Sequence, residues 1–184
     1  QHSLAGLLVM DSLVDRSHEF RIPTQAHDAV ADIVGGDMGL EQMDGPFVAG
    51  KDILLEYTPD IFELLDLNIG RCRMCVCGVS GSNEIAGHPL RVATKFTNIT
   101  KEYYSSLSRD IDIIHLNGSI ELAPIVGLSE VIVDIVETGS TLKENGLEVL
   151  EEVCPLSARM IVNPVSMQME ADRIRKLVGA IREQ

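Results

Sequence analysis

The chain has 184 residues, 45% of them hydrophobic and 23% charged, with a formal net charge of -13. That length supports one sizeable core or two small α/β lobes. The charge excludes a broad attraction to DNA, RNA or anionic lipid, which need a cationic face. No run approaches the ~18 apolar residues of a membrane span, so the expectation is a soluble, cytoplasmic protein that binds neither nucleic acid nor membrane. A phosphorylated ligand then needs local groups: backbone N–H donors, a few Arg or Lys side chains, and a metal ion.

Residues 4–14 read as an amphipathic helix. No basic region precedes them, Asp11 interrupts them and no small-residue cleavage site follows, so a signal peptide is not expected. Residues 19–22 read as extended, 24–34 as helical, and 35–50, with five glycines and a proline, as loop-rich. Residues 61–67 read as a helix. Residues 71–79 alternate like a strand and carry Cys72, Cys75 and Cys77. No second ligand pair of matching spacing follows, so these cysteines are expected to be reduced and buried, with no zinc.

Residues 80–89 look like a linker and mark a lobe boundary. Beyond them strands and helices alternate: a strand over 91–96, a helix over 98–107, and an apolar strand over 111–116. Ser119 is placed to cap a helix carrying Glu121, Leu122, Ile125 and Val126, which Gly127 ends. The strand over 131–136 is apolar at nearly every position, as a parallel strand buried on both faces requires. Another strand is expected over 158–162, and Ser166 is placed to cap a final helix with Ile174, Leu177, Val178 and Ile181 on one face. The organisation is therefore lobe I over residues 1–83 with 163–184, and lobe II over 84–162.

The strand over 131–136 runs into Glu137-Thr138-Gly139-Ser140-Thr141. Ligands of parallel α/β sheets bind where strands end. The N–H groups of Thr138, Gly139, Ser140 and Thr141, with three hydroxyls among them, suit a phosphate, and Gly139 permits close approach. Asp134 lies near enough along the chain to reach the hydroxyls of a sugar whose phosphate rests in that loop.

Glu121, a glycine after five intervening residues (Gly127), Ser129, Ile132, Asp134 and then Thr138-Gly139-Ser140-Thr141-Leu142 form one ordered string. It resembles the signature of ATP phosphoribosyltransferases. Arg91-Val92-Ala93-Thr94-Lys95-Phe96, Leu116-Asn117-Gly118-Ser119, Lys143-Glu144-Asn145-Gly146-Leu147, Gly50-Lys51-Asp52 and Gly70-Arg71-Cys72-Arg73 resemble family segments in the family's order, over roughly residues 48 to 184.

The resemblance implies two α/β lobes around a cleft, similar to type II periplasmic binding proteins. It implies transfer of phosphoribosyl from phosphoribosyl pyrophosphate to N1 of the adenine of ATP, giving phosphoribosyl-ATP and pyrophosphate, the first step of histidine biosynthesis. Adenine N1 has no proton to lose, so positioning and charge stabilisation are needed more than a base. By resemblance, residues 134 to 141 cradle the 5-phosphate and ribose, and Asp134 and Glu121 are the catalytic carboxylates; a solvated glutamate is the other reading for Glu121. Asn117, Gly118 and Ser119 are implied to touch nucleotide, with simple capping as the other reading.

Lys51, Arg71, Arg73, Arg91 and Lys95 are candidate cations for the polyphosphates, each with a surface ion pair as its other reading. Asp52 and Thr94 join them by resemblance alone. Mg2+ is implied on the leaving pyrophosphate. The chain's end at Gln184 points to the short form of the family, which assembles as a homodimer within a hetero-oligomer with a histidyl-tRNA-synthetase-like regulatory subunit. A non-catalytic two-lobed anion-binding module is the competing expectation.

Overall fold

The computed structural model describes residues 44–83 and 88–182, and the elements expected over 4–14, 19–22 and 24–34 lie outside these residues. The described part is mixed α/β and divides into two compact units, residues 44–70 with 157–182, and Arg71–Leu156. These boundaries fall earlier than the sequence-based 83/84 and 162/163. Residues 72–78 pair with strands of the second unit, and residues 158–162 pair with strands of the first. No helix among the described residues is long and apolar enough to cross a membrane.

In the first unit β8 (Ala158–Val162) lies between β1 (Pro46–Gly50) and β2 (Phe62–Asp66), antiparallel to both. Helix α1 (Lys51–Tyr57) packs Ile53 and Leu54 against Phe47, Ala49 and Ile161. The expected helix over 61–67 is instead β2. Its register shifts between Glu63 and Leu65, and this bulge leaves Leu64 and Leu65 both half-buried. A bulge erases the period-2 pattern that would have identified a strand.

The C-terminal helical region is two helices, α4 (Pro164–Met169) and α5 (Ala171–Arg182). Asn163, not Ser166, is the cap: its Oδ1 accepts from Ser166 N at 2.6 Å, while Ser166 Oγ accepts from Gly45 N at 2.9 Å. Pro164 follows at the first helical position, where a missing N–H costs nothing. Replacing Asn163 by alanine is expected to cost about 1 kcal/mol, measured as a lower urea midpoint with unchanged slope.

The second unit holds a five-stranded sheet in the order β5-β4-β6-β3-β7. Its strands are β3 (Cys72–Gly78), β4 (Leu90–Thr94), β5 (Ile111–His115), β6 (Val131–Val136) and β7 (Glu148–Leu156), with α2 (Thr97–Ser106) between β4 and β5. β4 is parallel to β5 and β6, and β3 is antiparallel to β6 and β7. Val131, Ile132 and Val133 are fully buried, as the apolar run requires.

Cys75 and Cys77 join Ala93, Ile132, Val136, Leu142 and Leu147 in one core cluster. All four cysteines are free thiols. Burial, then the neighbouring Cys75 and Asp134, push the Cys77 thiol up to about 12, which keeps it protonated and unreactive.

Candidate functional site

Three parallel strands send their carboxyl ends to one edge of the second unit. β4 ends at Thr94 and Lys95, β5 leads to Asn117, Gly118 and Ser119, and β6 delivers Asp134 and then Thr138 to Thr141. Because β3 is antiparallel to β6, its first residues arrive at the same edge: Arg73 pairs with Val136. Eleven positions of the sequence-based set, from Arg73 to Thr141, are thus gathered by topology on one rim of one sheet.

After Val136 the chain turns through Gly139, whose φ of 76° suits glycine, into the short helix α3 (Ser140–Glu144). Thr138 Oγ1 and Ser140 Oγ lie 3.0 Å apart, and Ser140 N donates to Thr138 Oγ1 at 3.5 Å. Thr138, Ser140 and Thr141 are exposed. Behind the loop, Leu147 N donates to Leu142 O at 2.9 Å and Gly146 N to Lys143 O at 3.1 Å. These are the paired bonds of a Schellman ending, with Leu142 and Leu147 both buried. The loop is thereby fixed to the core rather than left on a free helix.

Asp134 is half-buried, and Ile135 N donates to its Oδ1 at 2.8 Å. Burial holds its carboxyl above the usual range; the Ile135 N–H and Lys95 oppose this, and Glu121 adds to the rise. Lys95 extends over the Phe96 ring, 4.9 Å from its centroid, with its chain exposed. Two carboxylates and an ammonium therefore interact electrostatically beside the loop.

Glu121 lies half-buried in a single 3-10 turn, Ile120–Leu122, rather than in the longer helix expected. Pro124 interrupts that run, and Leu122, Ile125 and Val126 are exposed. Ser119 has φ 51° and makes no side-chain cap bond; an N-cap needs extended backbone to aim its oxygen at the first turn. Asn117, Gly118 and Ser119 are exposed on the rim.

Two of the expected ligand groups are engaged elsewhere. Arg91 binds Glu130 through its backbone N (2.8 Å), Nε (2.9 Å) and Nη2, and donates from Nη1 to Gly127 O at 3.2 Å. Thr94 is fully buried, donating to Val133 O at 2.7 Å and accepting from Phe96 N at 2.9 Å. Thr94 supports the rim from within, whereas Arg91, at the amino end of β4, braces the opposite end of the sheet. In the first unit Lys51 Nζ pairs with Glu63 at 2.6 Å, and Asp52 is buried in the first turn of α1. Arg71 is exposed just before β3 and has polar partners of its own.

The side-chain hydrogen bonds of Arg91 hold the Glu130 carboxyl below its usual range. A depressed carboxyl contributes stability that is complete above its unfolded value, about 4.3, and is lost as pH falls through the folded one. Below about pH 4.5 the wild-type melting temperature is therefore expected to fall more steeply than that of an Arg91→Met variant. Equal acid slopes in thermal melts contradict this.

A cavity of about 210 Å3 opens beside the loop, lined by Arg73, Val136, Thr138, Gly139, Leu142, Lys143, Leu147, Glu148 and Val149. Arg73 Nη1 donates to Glu152 Oε2 at 3.1 Å across β3 and β7. The sequence reading did not anticipate Lys143 or Glu148 at this cavity or Glu152 on Arg73; both glutamates lie on β7, which was not recognised. Its acids, Pro155 and two register shifts hide the strand period, features tolerated at a sheet edge.

The family model described as ATP phosphoribosyltransferase (HisG) matches residues 46–183. The ATP phosphoribosyltransferase of Lachnoclostridium phytofermentans is 62% identical over 139 residues, covering 74% of this chain and 65% of that protein. The ATP phosphoribosyltransferase of Brachyspira hyodysenteriae is 56% identical over 137 residues, covering 74% and 66%. A solved structure, the ATP phosphoribosyl transferase (HisG:HisZ) complex from Thermotoga maritima, is similar with a TM-score of 0.68 and 36% identity, covering 85% of this chain and 75% of that one. The chain spans about 65% of the length of the curated relatives it matches.

Proposed function

The chain belongs to the ATP phosphoribosyltransferase family, and on that premise we propose that it transfers phosphoribosyl from phosphoribosyl pyrophosphate to N1 of the adenine of ATP. The products are phosphoribosyl-ATP and pyrophosphate, at the first step of histidine biosynthesis in the cytoplasm. The observation that carries this reading is the convergence of Asp134, Lys95 and the anchored Thr138 to Thr141 loop at one sheet edge.

The loop's N–H groups and hydroxyls hold the 5-phosphate, and Asp134 accepts from the ribose hydroxyls. As the bond to pyrophosphate breaks, positive charge grows on the ribose, and the carboxylates of Asp134 and Glu121 stabilise it. Lys95, Arg71 and Arg73 compensate the polyphosphates, and Asn117, Gly118 and Ser119 contact nucleotide. In the first unit Lys51 and Asp52 are assigned to nucleotide by family likeness. Thr94 supports the rim indirectly, and Arg91 braces the far end of the same strand through Glu130.

No group of three or more His, Cys, Asp or Glu side chains among the described residues could hold a metal by itself. The pair Asp134 and Glu121 nevertheless fits Mg2+, which is commonly bound by one or two carboxylates completed by substrate phosphates. Asp134 and Glu121 would hold it, and the chemistry it would supply there is neutralisation of the departing pyrophosphate. The Thermotoga maritima protein is described in complex with HisZ, which supports a regulatory partner of that kind; a homodimer within that hetero-oligomer is part of the proposal and rests on family likeness alone.

The test is absorbance of phosphoribosyl-ATP in a mixture of protein, ATP, phosphoribosyl pyrophosphate, Mg2+ and pyrophosphatase, with and without a HisZ-type subunit. Product in either mixture supports the enzyme. Binding of phosphoribosyl pyrophosphate without product in both points to an anion-binding module.

A further inference from the structure

Arg73 lines the cavity beside the loop and meets Glu152 of β7 through one contact, and the two side chains stay 44% and 47% exposed. Among the described residues no second acceptor binds the Arg73 guanidinium, so most of its donors are uncommitted. A guanidinium binds phosphate through paired N–H groups, an arrangement stronger than one contact to an exposed carboxylate. Thr138 and Gly139 line the same cavity.

We propose that Glu152 is a positioning residue: it holds Arg73 beside Thr138 and Gly139 and yields it to the phosphorylated ligand on binding. The inference rests on reading the Thr138 to Thr141 loop as the phosphate seat. The Glu152 charge then opposes anion binding in two ways, by occupying Arg73 and by adding negative charge next to the residue that would bind the anion. Its removal strengthens binding, a direction that structural damage at this position would not produce.

The experiment is calorimetric titration of phosphoribosyl pyrophosphate into the wild-type protein and the Glu152→Gln, Glu152→Asp, Glu152→Lys, Arg73→Gln and Arg73→Gln/Glu152→Gln variants. Glu152→Gln is expected to bind about three- to tenfold more tightly at low salt, with the gain shrinking as salt screens the site. Glu152→Lys binds more tightly still, and Glu152→Asp stays near wild type. In the Arg73→Gln background the effect of Glu152→Gln falls to less than about half, because its route through Arg73 is gone.

An unchanged or weakened Glu152→Gln variant overturns the inference, as does a gain undiminished without Arg73. Wild-type protein that binds no phosphoribosyl pyrophosphate overturns the phosphate-loop reading and the inference with it. Wild-type binding with an inert Glu152 overturns the inference alone.

Discussion

Asp134→Asn is expected to lower kcat by on the order of 100- to 1000-fold while the protein stays folded, the scale on which loss of one preorganised charge-stabilising group is felt. The amide keeps the shape of the carboxylate and can still meet a ribose hydroxyl, but it carries no charge to match the cationic ribose of the transition state. The loss should therefore appear mainly in kcat rather than in KM for phosphoribosyl pyrophosphate. The product absorbance assay measures it, and a variant with wild-type turnover removes Asp134 from the catalytic set.

The same substitution has an opposite effect on stability. Burial raises the Asp134 carboxyl above its usual range, so the folded protein holds this proton more tightly than the unfolded chain. Stability falls as pH rises from the unfolded value, about 3.9, through the raised folded one, and the loss is complete above it. Asparagine never ionises. Its melting temperature should match wild type below about pH 4 and exceed it at neutral pH; parallel curves across that range contradict the raised carboxyl. A site that trades stability for a buried charge is a common mark of function.

Gly139→Val should weaken phosphoribosyl pyrophosphate binding by about 10- to 100-fold, the equivalent of 1–3 kcal/mol of backbone strain. Gly139 sits at φ 76°, where a β-branched residue is a strong outlier. A Cβ there already meets Val136 Cγ1 at 3.7 Å, so the added methyl groups crowd that side or the phosphate seat. If the loop shifts to relieve this, its N–H groups no longer converge. Titration calorimetry reads the affinity, and circular dichroism verifies that the fold survives. Unchanged affinity removes the loop from the phosphate seat.

Much of the second unit was legible in the sequence because the necessary information is local. The buried run 131–136 matches β6 residue for residue, and in the first unit the strand over 158–162 matches β8. Each has three successive buried apolar residues, Val131 to Val133 and Met160 to Val162, and burial on both faces demands that of any chain. The loop after β6 was legible for a related reason: only glycine takes the turn at position 139 readily, so the residue announces the conformation.

The failures share a different cause. Residues 61–67 read as a helix because Ile61, Leu64 and Leu65 have helical spacing, but pairing with β8 and a bulge made them a strand. β7 was hidden by its acids and Pro155, which an edge strand tolerates on its open side. The helix expected after Ser119 shrank to one turn because Pro124 cannot continue it and Ser119 adopts φ 51°.

What the sequence determined by itself is the family, the glycine turn after β6 and the positions of the buried strands, since each depends on residues close along the chain. What only the tertiary structure decided is which of them meet. β3 runs antiparallel between β6 and β7, and that order alone brings Arg73 to the rim and Glu152 to Arg73, 79 residues further along. The same order, with the parallel β4, commits Arg91 and Thr94 to the scaffold. Strand order is set by how whole apolar faces are buried together, a quantity summed over the sheet that no single segment encodes.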